Sequence, residues 1–372
     1  MTVAKSTILR RIKPMKENKL LRGLCVLTAA LMLGLTGCAN GSDTNDSDAQ
    51  SQTATAEVQS AWTELDQTTI TKEMGMGWNL GNQLEASNAG IPSETTWGNP
   101  TISEDLIKAV KEQGFKTIRI PVSYLDKIGA APDYTIDSAW LDRVQEVVDY
   151  VVGNDLYAII NIHGDGYYTV DKSWLRCVDD NQDEIKDKYE KVWAQIADRF
   201  KDYDQHLIFE SMNEESDNTY GKPNAIGYEN INAYNQIFVD TVRKTGSNNE
   251  KRWLLIPGWN TNIEYTAGNY GFVIPTDSGC KADGNRLMIS VHYYDPYNFT
   301  IDENMATAKT QWGKYAVEDY DNWGQEDYVD STMKMLNDAF VSKGYPVIIG
   351  EMGVQNLSLI HISEPTRQAE IS

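Results

Sequence analysis

Short apolar runs recur along this chain at intervals wide enough for a helix between successive runs. Seven of them read as strands, at residues 74–80, 117–121, 157–163, 207–212, 253–257, 287–292 and 346–350. Between them lie segments of helical period. One, at 103–111, opens on Ser103, an N-cap residue, with Glu104 and Asp105 in the first turn, where the helix dipole favours acids. Segments 141–152 and 189–200 also alternate apolar and charged positions at helical spacing. Strand and helix in regular alternation predict an α/β fold with a parallel sheet, and the count and spacing point to a (β/α)8 barrel. In such a barrel the loops at the strand C-termini carry the chemistry.

Composition adds a compartment to this picture. The chain has 372 residues and a net charge of −21, yet residues 1–38 hold seven Lys or Arg against a single acid, Glu17. The basic stretch precedes an apolar run at 24–35, which reads as a signal peptide. The run ends in Leu35-Thr36-Gly37-Cys38, which resembles the lipobox of bacterial lipoproteins, so Cys38 is the expected site of acylation and a lipid bilayer the expected anchor. Met15, followed by Lys16 and Lys19, supplies a plausible alternative start. Residues 39–60 are polar and acidic and read as a flexible tether, and 61–356 as one catalytic domain. The expected location is extracytoplasmic, at the cell surface. So acidic a chain without a basic stripe is unsuited to nucleic acid, whereas a neutral polysaccharide is compatible. Apart from Cys25 in the leader and Cys38, only Cys177 and Cys280 remain, too few for a disulfide framework; whether they pair is open.

The unusual polar residues fall at the predicted strand ends. The second run contains Arg119, the third ends at Asn161 and His163, and the fourth leads into Asn213, Glu214 and Glu215. The sixth ends at His292 with Tyr294 beyond it, and the seventh is followed by Glu351. Strands four and seven of a closed eight-stranded barrel face each other across its mouth, so Glu214 and Glu351 form a facing carboxylate pair, the requirement for glycosidic-bond cleavage. One must carry a proton for the leaving oxygen while the other stays ionised, and Arg119 and His292 are suited to holding the ionised partner. Glu215 is expected in a surface ion pair. The only histidines are His163, His206, His292 and His361, scattered in sequence, so neither a metal centre nor a cofactor is expected.

From about Met74 to Gly353 the chain resembles glycoside hydrolase family 5, in particular its bacterial endoglucanase, lichenase and xyloglucanase branch. The resemblance is carried by Gly77-Trp78-Asn79-Leu80-Gly81-Asn82, Trp97-Gly98-Asn99-Pro100, the stretch from Gly114 through Arg119 to Val122, Phe209-Glu210-Ser211-Met212-Asn213-Glu214, Val291-His292-Tyr293-Tyr294-Asp295-Pro296, and Gly350-Glu351. It implies a retaining mechanism with Glu214 as acid/base and Glu351 as nucleophile, supported by Arg119, His163, Asn213, His292 and Tyr294, and by Asn79 in the first motif. Arg119 is expected to keep Glu351 ionised, Asn213 to bind the sugar 2-hydroxyl, and Tyr294 to donate to the nucleophile. Many relatives carry a second His after His163, where this chain has Gly164-Asp165-Gly166. Flat sugar faces stack on aromatic rings, and Trp97 and Trp259 are the expected platforms. The implied partners are β-glycans: cellulose, mixed-linkage glucan, xyloglucan or mannan. A non-catalytic, glycan-binding surface lipoprotein is the alternative. The family pattern also calls for an eighth strand with flanking helices after Gly353. The residues from 357 onward resemble nothing in the family, so a truncated barrel with a non-native tail is the expectation.

Overall fold

A computed structural model describes residues 62–355 apart from Met305. The leader, the Cys38 anchor, the tether and the chain from 356 onward lie outside the described residues. Seven parallel strands form one sheet in sequence order. They are β1 Gly77–Asn79, β2 Thr117–Ile120, β3 Tyr157–Ile160, β4 Leu207–Glu210, β5 Leu254–Asn262, β6 Leu287–Tyr293 and β7 Val347–Met352. Each expected run overlaps one of them, and β5, β6 and β7 extend past the ends of theirs. The first run is cut short because Met74 ends a helix, Gln67–Met74, and Gly75 at φ 50 breaks it before the strand begins.

Helices Glu104–Glu112, Ser138–Gly153, Gln182–Arg199 and Ala225–Lys244 follow β1 to β4 in turn, the βα repeat of a barrel. Ser103 caps the first of these as its sequence predicts, its side chain accepting from Leu106 N at 3.3 Å. The third starts seven residues ahead of the expected segment, because the polar turn Gln182–Lys188 carries few apolar markers. Among the described residues no helix is long and apolar enough to cross a membrane. Cys177 is buried and Cys280 half-buried, and both are free thiols.

Alternation along the strands separates two layers. Ile118, Ile120, Ala158, Ile160, Leu207, Phe209, Leu254 and Ile256 pack outward against the helices. Ile159, Ile208, Leu255 and Met288 belong to a separate cluster on the opposite faces, closed at one end by Ile70 and Met74 of the Gln67–Met74 helix. By the same period-two parity Arg119, Asn161, Glu210, Ser290 and His292 turn inward, above that apolar floor. Strands β2, β3 and β4 are buried throughout, whereas β1 and β7 form the two edges of the sheet and are only partly covered. The edges stand close: Asn79 Nδ2 on β1 donates to Gly350 O on β7 at 2.8 Å.

A bulge fixes what β7 presents. Ser290 and Val291 pair with Ile348 and Ile349, but His292 pairs with Glu351 and not with Gly350. The extra residue reverses parity and turns Glu351 to the inner face beside His292. Gly350 is the residue that can be skipped, since a Cβ there would lie 3.1 Å from His292 Nε2.

The Gly164-Asp165-Gly166 turn after β3 is built from the same kind of close approach. A Cβ at Gly164 would meet Ser123 Oγ at 2.6 Å, and one at Gly166 would sit 1.5 Å from Glu215 Oε2. Asp165 accepts from Tyr124 N at 2.9 Å and Trp174 Nε1 at 2.7 Å, tying this loop to the one after β2. Burial pushes the Asp165 carboxyl up to about 6. Glu215, expected at the surface in an ion pair, is only 2% exposed. Its carboxyl faces the Gly166 backbone, and its electrostatic neighbours are Asp165 and Glu214 rather than a cation. Burial first, then those two acids, raise it well above the usual carboxylate range.

Glu215 therefore stays protonated in the folded protein at pH values where the unfolded chain has released the proton. Its contribution to stability is complete below the unfolded pKa and is lost as pH rises toward the folded one, at about 1.4 kcal/mol per pH unit. Urea denaturation at pH 5 and pH 7 checks this. Glu215→Gln is expected to gain on the wild type as pH rises, and equal pH dependence of the two proteins would refute the buried neutral acid.

Candidate functional site

Arg119, at the end of β2, is the hub of the inward polar layer and is 3% exposed. Its Nε donates to Glu210 Oε2 at 2.7 Å, Nη1 to Glu351 Oε1 at 2.7 Å and Asn79 Oδ1 at 3.1 Å, and Nη2 to Asn213 Oδ1 at 2.7 Å. One planar guanidinium thus reaches groups on β1, β4 and β7, which no ammonium could do. Burial alone would lower its pKa, but Glu210 and Glu351 outweigh that and raise it above its ordinary value. Glu210, wholly buried, also accepts from Asn161 Nδ2 at 3.0 Å and Ser290 Oγ at 2.6 Å.

Glu351 keeps an open side, with a fifth of its side chain exposed (19%). Its Oε2 accepts from Tyr294 OH at 3.0 Å and lies 3.8 Å from His292 Nδ1. Desolvation would raise this carboxyl, but electrostatic interaction with His292 and Arg119 and the Arg119 hydrogen bond more than offset it, holding Glu351 well below the usual carboxylate range. His163 contributes no charge at working pH, because burial and then Arg119 push its imidazole down to about 3. It stands 3.2 Å from Asn161 Nδ2 through its Nδ1.

Glu214 is held differently. Its Oε1 meets His292 Nδ1 at 2.7 Å and its Oε2 accepts from Tyr167 OH at 2.9 Å, with no Arg or Lys in contact. Donor atoms of Glu214, His292 and Glu351 all lie within 4.8 Å of one another. They are the one trio of this kind among the described residues and the only candidates there for holding a cation. The fold therefore gathers onto one spot a histidine that looked isolated in the sequence.

Glu351 and Arg119 line an open cavity of about 1160 Å³, together with Asn79, His163, Tyr167 and Tyr294. Trp97 borders it with 53% of its surface exposed, its Nε1 tied to Ser87 O at 3.0 Å. Trp78 lines it too. Trp259 does not: it is wholly buried against Tyr228, 5.9 Å between ring centroids, and beneath Gly227, whose missing Cβ makes room for it. The expectation of a sugar platform there is corrected, because Trp259 lies within β5 and its ring packs under the Ala225–Lys244 helix.

The sequence reading gave no role to Glu210, Asn161, Ser290 or Tyr167. The first three carried a signal, since polar residues of inward parity in otherwise apolar strands must find one another or remain unsatisfied. Tyr167 carried none beyond being aromatic.

Comparison with known proteins accords with this geometry. The family description "Cellulase (glycosyl hydrolase family 5)" matches residues 81–370. Endoglucanase A of Paenibacillus barcinonensis is 59% identical over 290 residues, which cover 76% of this chain and 72% of that protein. The cellulase/esterase CelE of Acetivibrio thermocellus is 40% identical across 81% of this chain, but the match spans only 34% of that longer protein. Among solved structures, a family 5 xyloglucanase from Paenibacillus pabuli aligns with a TM-score of 0.75 at 58% identity, covering 77% of this chain and 80% of that one. A broad-specificity endoglucanase from Bacteroides salanitronis aligns at 0.74 and 40% identity, covering 80% and 79%. The chain belongs to the cellulase family, glycosyl hydrolase family 5, and is a glycoside hydrolase.

Proposed function

We propose that this chain is an endo-acting β-glucan hydrolase that retains anomeric configuration, with Glu351 as nucleophile and Glu214 as acid/base. The observation that carries the reading is the unequal treatment of two close carboxylates. Their facing oxygens lie within 4.8 Å, and a buried guanidinium holds only Glu351. That spacing accords with the roughly 5–5.5 Å of retaining enzymes and falls short of the roughly 6.5–9.5 Å at which inverting enzymes hold their carboxyls.

In the first step a Glu351 oxygen bonds to the anomeric carbon as the glycosidic C–O bond breaks. The bond's electron pair stays on the leaving oxygen, which takes the proton of Glu214. In the second, the Glu214 carboxylate takes a proton from water, the water oxygen attacks the anomeric carbon, and the ester to Glu351 breaks. Burial and the charge of Glu351 raise the Tyr294 phenol, so it remains a donor to the nucleophile throughout. Asn213, already accepting from Arg119, keeps an amide hydrogen free for the sugar 2-hydroxyl.

Trp97, exposed at the border of the cavity, offers a face for stacking a sugar ring. The relatives named above are an endoglucanase, a cellulase/esterase, a xyloglucanase and a broad-specificity endoglucanase, so β-1,4-glucans with or without branches are the first substrates to try. Mixed-linkage glucan and mannan belong on the same panel. Anchoring through Cys38 would hold the site outside the cytoplasm, where polymers are met.

Reducing-sugar release from carboxymethylcellulose, barley β-glucan, xyloglucan and glucomannan tests the activity, with Glu351→Gln as control. Release from at least one glucan, lost in the control, is expected. Binding without cleavage would instead favour the glycan-binding alternative. Arg119→Lys is expected to lower kcat roughly hundredfold with little change in KM, the scale of losing a preorganised donor. Because Glu351 must be ionised and loses its cation's fork, the acid limb of the pH profile should move to higher pH.

A further inference from the structure

Tyr167 lies in the loop after β3, and its hydroxyl stands between Asn213 and Glu214. The direction of each bond is fixed from the far end. A guanidinium only donates, so Asn213 presents Oδ1 to Arg119 and Nδ2 to the phenol. Asn213 therefore donates to Tyr167 O at 2.7 Å, and the single phenolic hydrogen goes to Glu214 Oε2 at 2.9 Å. Glu214's other oxygen faces His292 Nδ1 at 2.7 Å, which accepts in one tautomer and donates in the other.

We propose that Tyr167 is the positioning residue of the acid/base. By donating to Oε2 it confines the transferable proton of Glu214 to Oε1, and it stabilises the carboxylate left when that proton passes to the leaving oxygen. The inference rests on the assignment of Glu214 as acid/base and adds the group that orients it.

The surroundings support a permanent donor. Glu214 and Glu215 face the phenol from the end of β4, Glu351 from β7, and His163 meets its ring edge-on at 6.4 Å from its own loop. Arg119 acts on it through Asn213, and His292 through Glu214. Burial, followed by the charges of Glu214 and Glu351, holds the phenol's ionisation well above its ordinary value, so it does not exchange roles with Glu214. Through Asn213 the phenol also ends a chain of hydrogen bonds that starts at Arg119 and the nucleophile, so both carboxylates are oriented from one cation.

Tyr167→Phe in the full chain tests this, because Phe keeps the ring and its contact with His163 and removes only the hydroxyl. kcat/KM on a glucan polymer is expected to fall about tenfold, the worth of a hydrogen bond to a charged group. kcat/KM on 2,4-dinitrophenyl β-cellobioside, whose leaving group needs no proton, should change less than about twofold. Loss of a donor to the carboxylate makes Glu214 a weaker acid, so the alkaline limb of the polymer profile should move to higher pH. Equal losses on both substrates with an unmoved limb would make Tyr167 merely structural and overturn the proposal, as would no loss on either. A wild type that cleaves neither substrate would instead refute the glycosidase assignment, and this inference with it.

Discussion

The Arg119 guanidinium, buried among carboxylates, is the constraint on which the rest of the site depends. Removing three charges from water is expensive, and their attraction offsets the cost only where geometry is good and every remaining donor and acceptor is used. Here most of them are: Glu210 takes three donors, Glu351 takes Arg119 and Tyr294, and the guanidinium spends four of its five hydrogens on Asn79, Glu210, Asn213 and Glu351. A salt bridge of this kind contributes little to stability by itself. What it achieves is asymmetry between two nearby acids, one fixed to a cation and one held only by a phenol and an imidazole.

The barrel converts sequence parity into that cluster. Inward positions on β2, β3, β4 and β6 bring Arg119, Asn161, Glu210, Ser290 and His292 into one layer above an apolar floor. The skipped pairing at Gly350 then rotates Glu351 into the same layer. Without that bulge the carboxylate would follow Ile349 and Val347 onto the outer, helix-facing side. The glycines at 164, 166 and 350 serve one end: each omits a side chain where a polar group of the site or its support needs the space.

Much of this was legible in the sequence, and the limits have physical causes. All seven strands were readable because parallel barrel strands are buried on both faces and stand out as continuous apolar runs. Glu214, Glu351, Arg119, His292 and Tyr294 were legible because charged or polar residues at the ends of such runs have few structural uses. Trp259 was misread since nothing in a sequence says whether an indole near a strand's end faces solvent or packs under a helix. Glu215 was misplaced for a related reason. Adjacent residues leaving a strand diverge, and only the fold reveals that one meets His292 and Tyr167 while its neighbour lies against the Gly166 backbone. Tyr167 was invisible because its role depends on a single hydroxyl meeting two residues almost fifty positions away.

The central claim is that Glu351, kept ionised by Arg119, forms a covalent bond to the sugar. A 2-deoxy-2-fluoro cellobioside with a good leaving group slows breakdown of that bond, so peptide mass spectrometry can locate it. A single glycosyl adduct on the peptide carrying Glu351, released on transfer to an acceptor, is the predicted result. An adduct on Glu214, or none in a protein that hydrolyses glucan and is inactivated by the reagent, would contradict the account.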